Sequence, residues 1–122
     1  MHEMALTRNV VDIGVAEAER VGASGVRSVQ LTIGYARDIV EDIFEKMFAW
    51  MARGTVAENA ELTIVRVPVT VRCNKCGRVY PIDVLDDSTW PCPSCHLRDY
   101  RLNTGMEFSV NRIEVCSAEP VA

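Results

Sequence analysis

Cys73, Cys76, Cys92 and Cys95 form two C-x-x-C pairs separated by 15 residues. That spacing lies within the range of a four-cysteine zinc site. Two residues between ligands let both sulfurs of a tight turn face one ion, with Gly77 and Pro93 shaping the turns. Four thiolates fill a tetrahedral shell and leave no position for a substrate, so the site is expected to be structural. Its ion should be coupled to folding of the segment around it. A thioredoxin-like redox pair would use one C-x-x-C next to a βαβ unit and leave the other unexplained. Cys92-Pro93-Ser94-Cys95-His96 also matches the c-type haem attachment string. Haem would strand Cys73 and Cys76, and it goes with export, for which residues 1–25 are too interrupted by charge to serve.

A second donor set stands at Met1-His2-Glu3. An α-amine has a reference pKa of about 7.7–8.0 and is readily freed by a metal. The His2 imidazole and backbone nitrogen can join it in fused chelate rings, and Glu3 adds a backbone nitrogen or its carboxylate. Nitrogen donors in a near-planar ring suit Cu(II) or Ni(II). The pattern alone leaves a plainer alternative open, an exposed and inert chain end. His96, the only other histidine, reads by itself as a surface residue beside a cysteine turn.

These sites need a scaffold, and the composition permits one. Of the 122 residues 48% are apolar and 25% charged, enough for one globular domain or a core with a small metal-stapled module. The net charge of −4 opposes nucleic-acid binding. Between Cys73 and Arg101, Lys75, Arg78, Arg98 and Arg101 are matched by Asp83, Asp86, Asp87 and Asp99, so no basic footprint forms. Tyr80 and Trp90 then read as a miniature core rather than base-stacking platforms. No apolar run reaches the roughly 20 residues needed to span a bilayer. The expectation is a cytoplasmic protein with no membrane and no nucleic-acid partner.

Leu6, Val10 and Ile13 at helical spacing predict a helix over 3–21, closed at Gly22. Alternating Val29, Leu31, Ile33 and Tyr35 predict a strand over 28–35. Val40, Ile43, Phe44, Met47, Phe48 and Met51 predict a core-facing helix over 39–53, with Asp38 as its cap and Gly54 as its stop. A β-branched run predicts one strand over 61–72, with Pro68 marking an edge or bulge. A last strand over 106–115 slips its alternation near Asn111-Arg112, as a bulge would. The fold expected is α+β: two helices on a small, about three-stranded sheet, with an inserted zinc-ribbon-like module of four cysteines. The domain over 1–72 is then discontinuous, completed by 102–116 around a module over 73–101, and 117–122 form a tail. From the residues alone, a zinc-ribbon interaction or nucleic-acid module with an inert terminus is the rival reading.

MHEMAL (1–6), RGTVAENAEL (53–62), the C-x-x-C-G and C-P-x-C turns and NRIEV (111–115) together resemble the HypA/HybF family of nickel metallochaperones in [NiFe]-hydrogenase maturation. The resemblance implies a non-enzymatic nickel carrier. Its transient Ni(II) cargo would be held by His2 and Glu3 with the Met1 amine, and its structural Zn(II) by Cys73, Cys76, Cys92 and Cys95. It further implies a HypB-type GTPase and a hydrogenase large-subunit precursor as partners, with a second copy of the chain as another. His96, as the only other imidazole, is the candidate additional nickel ligand. Where the family often carries GELSGVEPE this chain reads GYARDIVED, in which Asp38 or Glu41 could substitute for the family's acids, and Asn59 stands where glycine is common. Cys116 reads as a bystander thiol.

Overall fold

The computed structural model describes residues 3–117. In chain order the elements are α1 (Glu3–Arg20), β1 (Gly25–Gly34), α2 (Glu41–Met51), β2 (Glu61–Val67), β3 (Thr70–Cys73), β4 (Val79–Pro81), β5 (Tyr100–Thr104) and β6 (Phe108–Cys116). They build two three-stranded sheets, ordered β2-β1-β6 and β4-β3-β5. The chain forms two compact units. One takes the residues up to Leu31, Ile39–Val65 and the stretch from Val110 onward; the other takes Thr32–Asp38 and Arg66–Ser109. The fold is α+β, as its sequence pattern predicts.

In the first unit α1 packs on α2 and on β1. The face that α1 buries is Glu3, Thr7, Val10, Val11, Gly14 and Ala18, whereas Ile13 is 47% exposed. The buried face is thus rotated from the expected stripe through Ile13 toward Val11 and Gly14, which faces β1: a Cβ there would make ordinary contact, 3.9 Å from both Val26 and Val29. On α2 the buried residues are Phe44, Phe48 and Met51, at i, i+4 and i+7. Asp38 does not cap this helix. Val40 stands at the N-cap in extended conformation without a side-chain hydrogen bond, and Glu41 and Asp42 in the first turn meet the positive end of the helix dipole. Asn59 adopts φ 68°, a left-handed conformation that asparagine tolerates better than most residues.

The single strand expected over 61–72 is two. β2 ends at Val67 and β3 begins at Thr70 in the other sheet. Pro68 has no N–H for a ladder, so continuous pairing stops there. Its carbonyl instead accepts the Thr104 hydroxyl at 2.8 Å, and the Val69 carbonyl accepts the Ile82 amide at 3.1 Å. Along β6 the predicted slip is visible in burial: Asn111 and Arg112 are both exposed between partly covered Val110 and Ile113.

The second unit contains a tight backbone crossing. A Cβ on Gly34 would lie 1.9 Å from the Gly105 carbonyl oxygen, which accepts the Ala36 amide at 2.8 Å. Gly105 adopts φ 125°, which disfavours any side chain, and its amide donates to Glu107 Oε1 at 2.7 Å. Backbone meets backbone here, so neither side can yield by changing rotamer. Gly34→Ala should therefore lower stability by about 2–4 kcal/mol, read as a lower urea midpoint. A midpoint unchanged from the parent would show that the crossing relaxes freely.

Candidate metal centre

The centre strand β3 carries Val71 and Cys73 on one buried face, with β4 and β5 antiparallel on either side. Val71 pairs with Tyr80, and Cys73 pairs with Tyr100. Under the cysteines lies a small core of Val71, Cys73, Tyr80 and Cys92, flanked by Ile82, Cys95 and Tyr100. Tyr80 is buried, and its hydroxyl donates to the Trp90 carbonyl at 2.6 Å. The Trp90 indole N–H donates to the Asp83 carbonyl at 2.9 Å. Both aromatics thus brace the module.

The two C-x-x-C turns are built alike. In the first, the Gly77 amide donates to the Cys73 carbonyl (3.0 Å) and the Cys73 amide donates to the Arg78 carbonyl (2.9 Å). In the second, the His96 amide donates to the Cys92 carbonyl (2.8 Å) and the Cys92 amide donates to the Leu97 carbonyl (2.9 Å). The residue after each second cysteine turns left-handed, Gly77 at φ 78° and His96 at φ 61°. His96 therefore occupies, in an exposed position, the place that glycine takes in the sister turn.

The turns bring all four sulfurs within 4.8 Å of one another. Cys73 Sγ lies 3.3 Å from Cys95 Sγ, and Cys76 Sγ lies 3.6 Å from Cys92 Sγ. Zinc–sulfur bonds of about 2.3 Å in a tetrahedron separate sulfurs by about 3.8 Å, so the cluster fits one such ion. Cys73 and Cys92 are fully buried, Cys95 is half-buried and Cys76 is exposed. Amides aimed into the turns stabilise thiolate at the buried pair. The Cys76 backbone is the largest influence lowering Cys73, and the Cys95 backbone the largest lowering Cys92, to about 6. Their neighbours move the other way. The Leu97 amide lowers Cys95, but its hydrogen bond to Cys73, burial and the contact with Cys92 outweigh that and push it up to about 12. Cys76 is raised in the same manner against the Arg78 amide. Four adjacent thiols cannot all ionise unaided, and a dication supplies the missing charge.

Two side-chain clamps hold the first turn, one to the start of β5 and the other to the second turn. Asn74, inside the first pair, donates through Nδ2 to Asp99 Oδ1 (2.9 Å) and accepts from Arg101 Nη1 (2.5 Å). Arg78, just after the first pair, donates to the Ser94 hydroxyl inside the second (2.8 Å). In the sequence Arg78, Arg101 and Asp99 read only as a charge balance. The position of Asn74 and Arg78 within and beside the first C-x-x-C turn is the signal that could have found the clamps.

Glu3, in the other unit, is 7% exposed, and its Oε2 is buried without a hydrogen-bond partner among the described residues. Its backbone carbonyl accepts the buried Thr7 hydroxyl at 2.5 Å. Met1 and His2 lie outside the described residues. Asp38 is exposed and Glu41 half-buried, and Cys116 ends β6 and is not among the clustered sulfurs.

A sequence model of the HypA family, described as hydrogenase/urease nickel incorporation, metallochaperone, matches residues 1–115. Similar proteins include the hydrogenase maturation factor HypA of Geobacter sulfurreducens, 37% identical over 94% of this chain and 99% of that one. The protein of the same name from Dehalococcoides mccartyi strain CBDB1 is 32% identical over 94% of each chain. Among solved structures, the solution structure of the Ni metallochaperone HypA from Helicobacter pylori aligns at TM-score 0.66 and 22% identity, covering 97% of this chain and 100% of that one. A second solution structure of a HypA protein aligns at 0.73 and 23% identity, covering 97% and 98%. At those identities the two structures bear on the fold.

The clamps predict a kinetic phenotype. In zinc-loaded protein, Asn74→Ala and Arg78→Ala should each speed zinc transfer to a chromophoric chelator by roughly tenfold, at unchanged zinc stoichiometry. Transfer at the parental rate in both would show that the thiolates alone set the turns' spacing.

Proposed function

The chain belongs to the HypA family of hydrogenase/urease nickel-incorporation metallochaperones, and on that premise we propose that it carries Ni(II) at Met1-His2-Glu3 and keeps Zn(II) permanently at Cys73, Cys76, Cys92 and Cys95. The observation that carries the nickel assignment is the buried carboxylate oxygen of Glu3, which has no hydrogen-bond partner among the described residues. A carboxylate withdrawn from water costs stability unless a cation faces it. Next to it in the sequence stand an amine and an imidazole, donors suited to a tetragonal ion. The cargo site stays open to exchange because these few donors do not close the ion's shell.

The cysteine site plays the opposite part. Four sulfurs saturate the ion, so it holds the module together and offers no substrate position. The protein is accordingly a carrier and not an enzyme. It acts in the cytoplasm, taking or passing nickel with a HypB-type GTPase and delivering it to a hydrogenase large-subunit precursor. Among the described residues no helix is long and apolar enough to cross a membrane. His96 contributes an additional nickel ligand. Its backbone is left-handed, so His96→Asn or His96→Gly tests the imidazole cleanly, whereas His96→Ala adds backbone strain of its own.

Nickel titration of zinc-loaded protein beginning at Met1 should give one site per chain. His2→Ala, or one glycine placed before Met1, should abolish that site with zinc content and circular dichroism unchanged; nickel binding that survives both would sink the assignment. Glu3→Gln should weaken nickel binding by about tenfold or more while raising nickel-free stability by about 1–3 kcal/mol. That opposed pair of effects distinguishes a ligand from a structural carboxylate.

A further inference from the structure

The loop after β4 displays apolar side chains that the fold itself does not bury. Leu85 is 93% exposed and Val84 48% exposed. The loop is nevertheless held in one shape. The Leu85 amide donates to Asp83 Oδ1 (2.9 Å) and the Asp86 amide to the Asp83 carbonyl (3.0 Å). The Asp83 amide donates to Thr89 Oγ1 (2.8 Å), and the Trp90 indole donates to the Asp83 carbonyl. Ordering a loop around a leucine in water gains nothing from the hydrophobic effect within this chain.

Beside the loop lies a groove of about 350 Å³, lined by Tyr35, Pro68, Val69, Ile82, Val84 and Leu85. Tyr35 is 58% exposed, and the Arg66 guanidinium stacks over its ring at 4.6 Å, fixing that wall. Asp83 also lines the groove, and Asp86 and Asp87 follow it, exposed on the same short loop, so the groove has an acidic border. Ser88 hydrogen bonds hold the Asp86 carboxyl below its ordinary value, so it is charged at neutral pH. An apolar floor with a charged rim is the anatomy of a protein-docking site.

We propose that this groove docks a basic, apolar segment of a partner protein. One large apolar side chain of that segment sits between Tyr35 and Leu85, and its flanking lysines or arginines face Asp83, Asp86 and Asp87. The rim argues against an anionic lipid surface, which three carboxylates repel. It favours a cationic partner, drawn in by complementary charge. The surface lies wholly within the second unit and is independent of the nickel assignment.

The test uses zinc-loaded, isotope-labelled full-length protein and a soluble peptide of leucines flanked by lysine and arginine, beside a control with glutamate at every basic position. The basic peptide should shift the resonances of Tyr35, Val69 and the loop from Val84 to Asp87, and bind more weakly as salt rises. It should lose about tenfold in affinity with Leu85→Ser or with Asp86→Asn and Asp87→Asn combined. Leu85 is solvent-exposed, so Leu85→Ser should leave zinc stoichiometry intact, and that is measured alongside. No binding of the basic peptide, equal binding of the glutamate control, or parental affinity in Leu85→Ser would overturn the proposal. Concentration-dependent self-association removed by Leu85→Ser would overturn it too, by assigning the groove to a second copy of the chain.

Discussion

Mutual repulsion among four close thiolates governs the second unit. Every local device around them serves to make that crowding tolerable once a dication arrives. Left-handed residues close each turn, amides point into the sulfurs, and side-chain clamps hold the first turn to β5 and to the second turn. The apolar core beneath the cysteines is only a few side chains. Burial on that scale does not order three short strands in a segment of this size, so the ion must contribute to folding directly. Tyr80 illustrates the dependence. Burial and the neighbouring sulfurs both oppose its ionisation, so its hydroxyl stays a donor and the brace to Trp90 persists.

Glu3 follows the reverse logic. At the cysteines, charge is gathered and then closed off by four ligands. At Glu3, one carboxylate is withdrawn from water at the start of α1 with an oxygen left unpaired among the described residues. Thr7 is buried one helical turn on, yet directs its hydroxyl to the Glu3 carbonyl rather than to the carboxylate. A structural carboxylate at a helix start ordinarily gains from the helix dipole and from solvent. One withdrawn from water with no partner among the described residues is a net cost to folding, the opposite of the closed cysteine cluster.

Much of this was legible in the sequence because it rests on local spacing. The C-x-x-C pairs, the alternation through Val29, Leu31 and Ile33, and the i, i+4, i+7 set of Phe44, Phe48 and Met51 each encode their own geometry. What escaped depends on chain segments meeting from afar. Pro68 reads as an irregularity within one strand, but whether the chain resumes in the same sheet or another is a matter of tertiary pairing. Ile13 fits a helical stripe as well as Val11 does, and only the packing of α1 on α2 and β1 chooses between them. The Gly34–Gly105 crossing joins residues from distant parts of the chain and leaves no periodic trace. Asp38 has the right chemistry for a cap but stands too far before Glu41, where the helix begins.

At His96 the two cysteine turns can be set against each other. They share their hydrogen-bond pattern, and Gly77 demonstrates that the position after the second cysteine works with no side chain at all. A non-glycine residue held at φ 61° costs about 1 kcal/mol relative to glycine. The knuckle therefore gains nothing from an imidazole, because backbone groups alone close the turn. Histidine is among the non-glycine residues most enriched in the left-handed region, so the turn accepts it at that modest cost and leaves its side chain exposed.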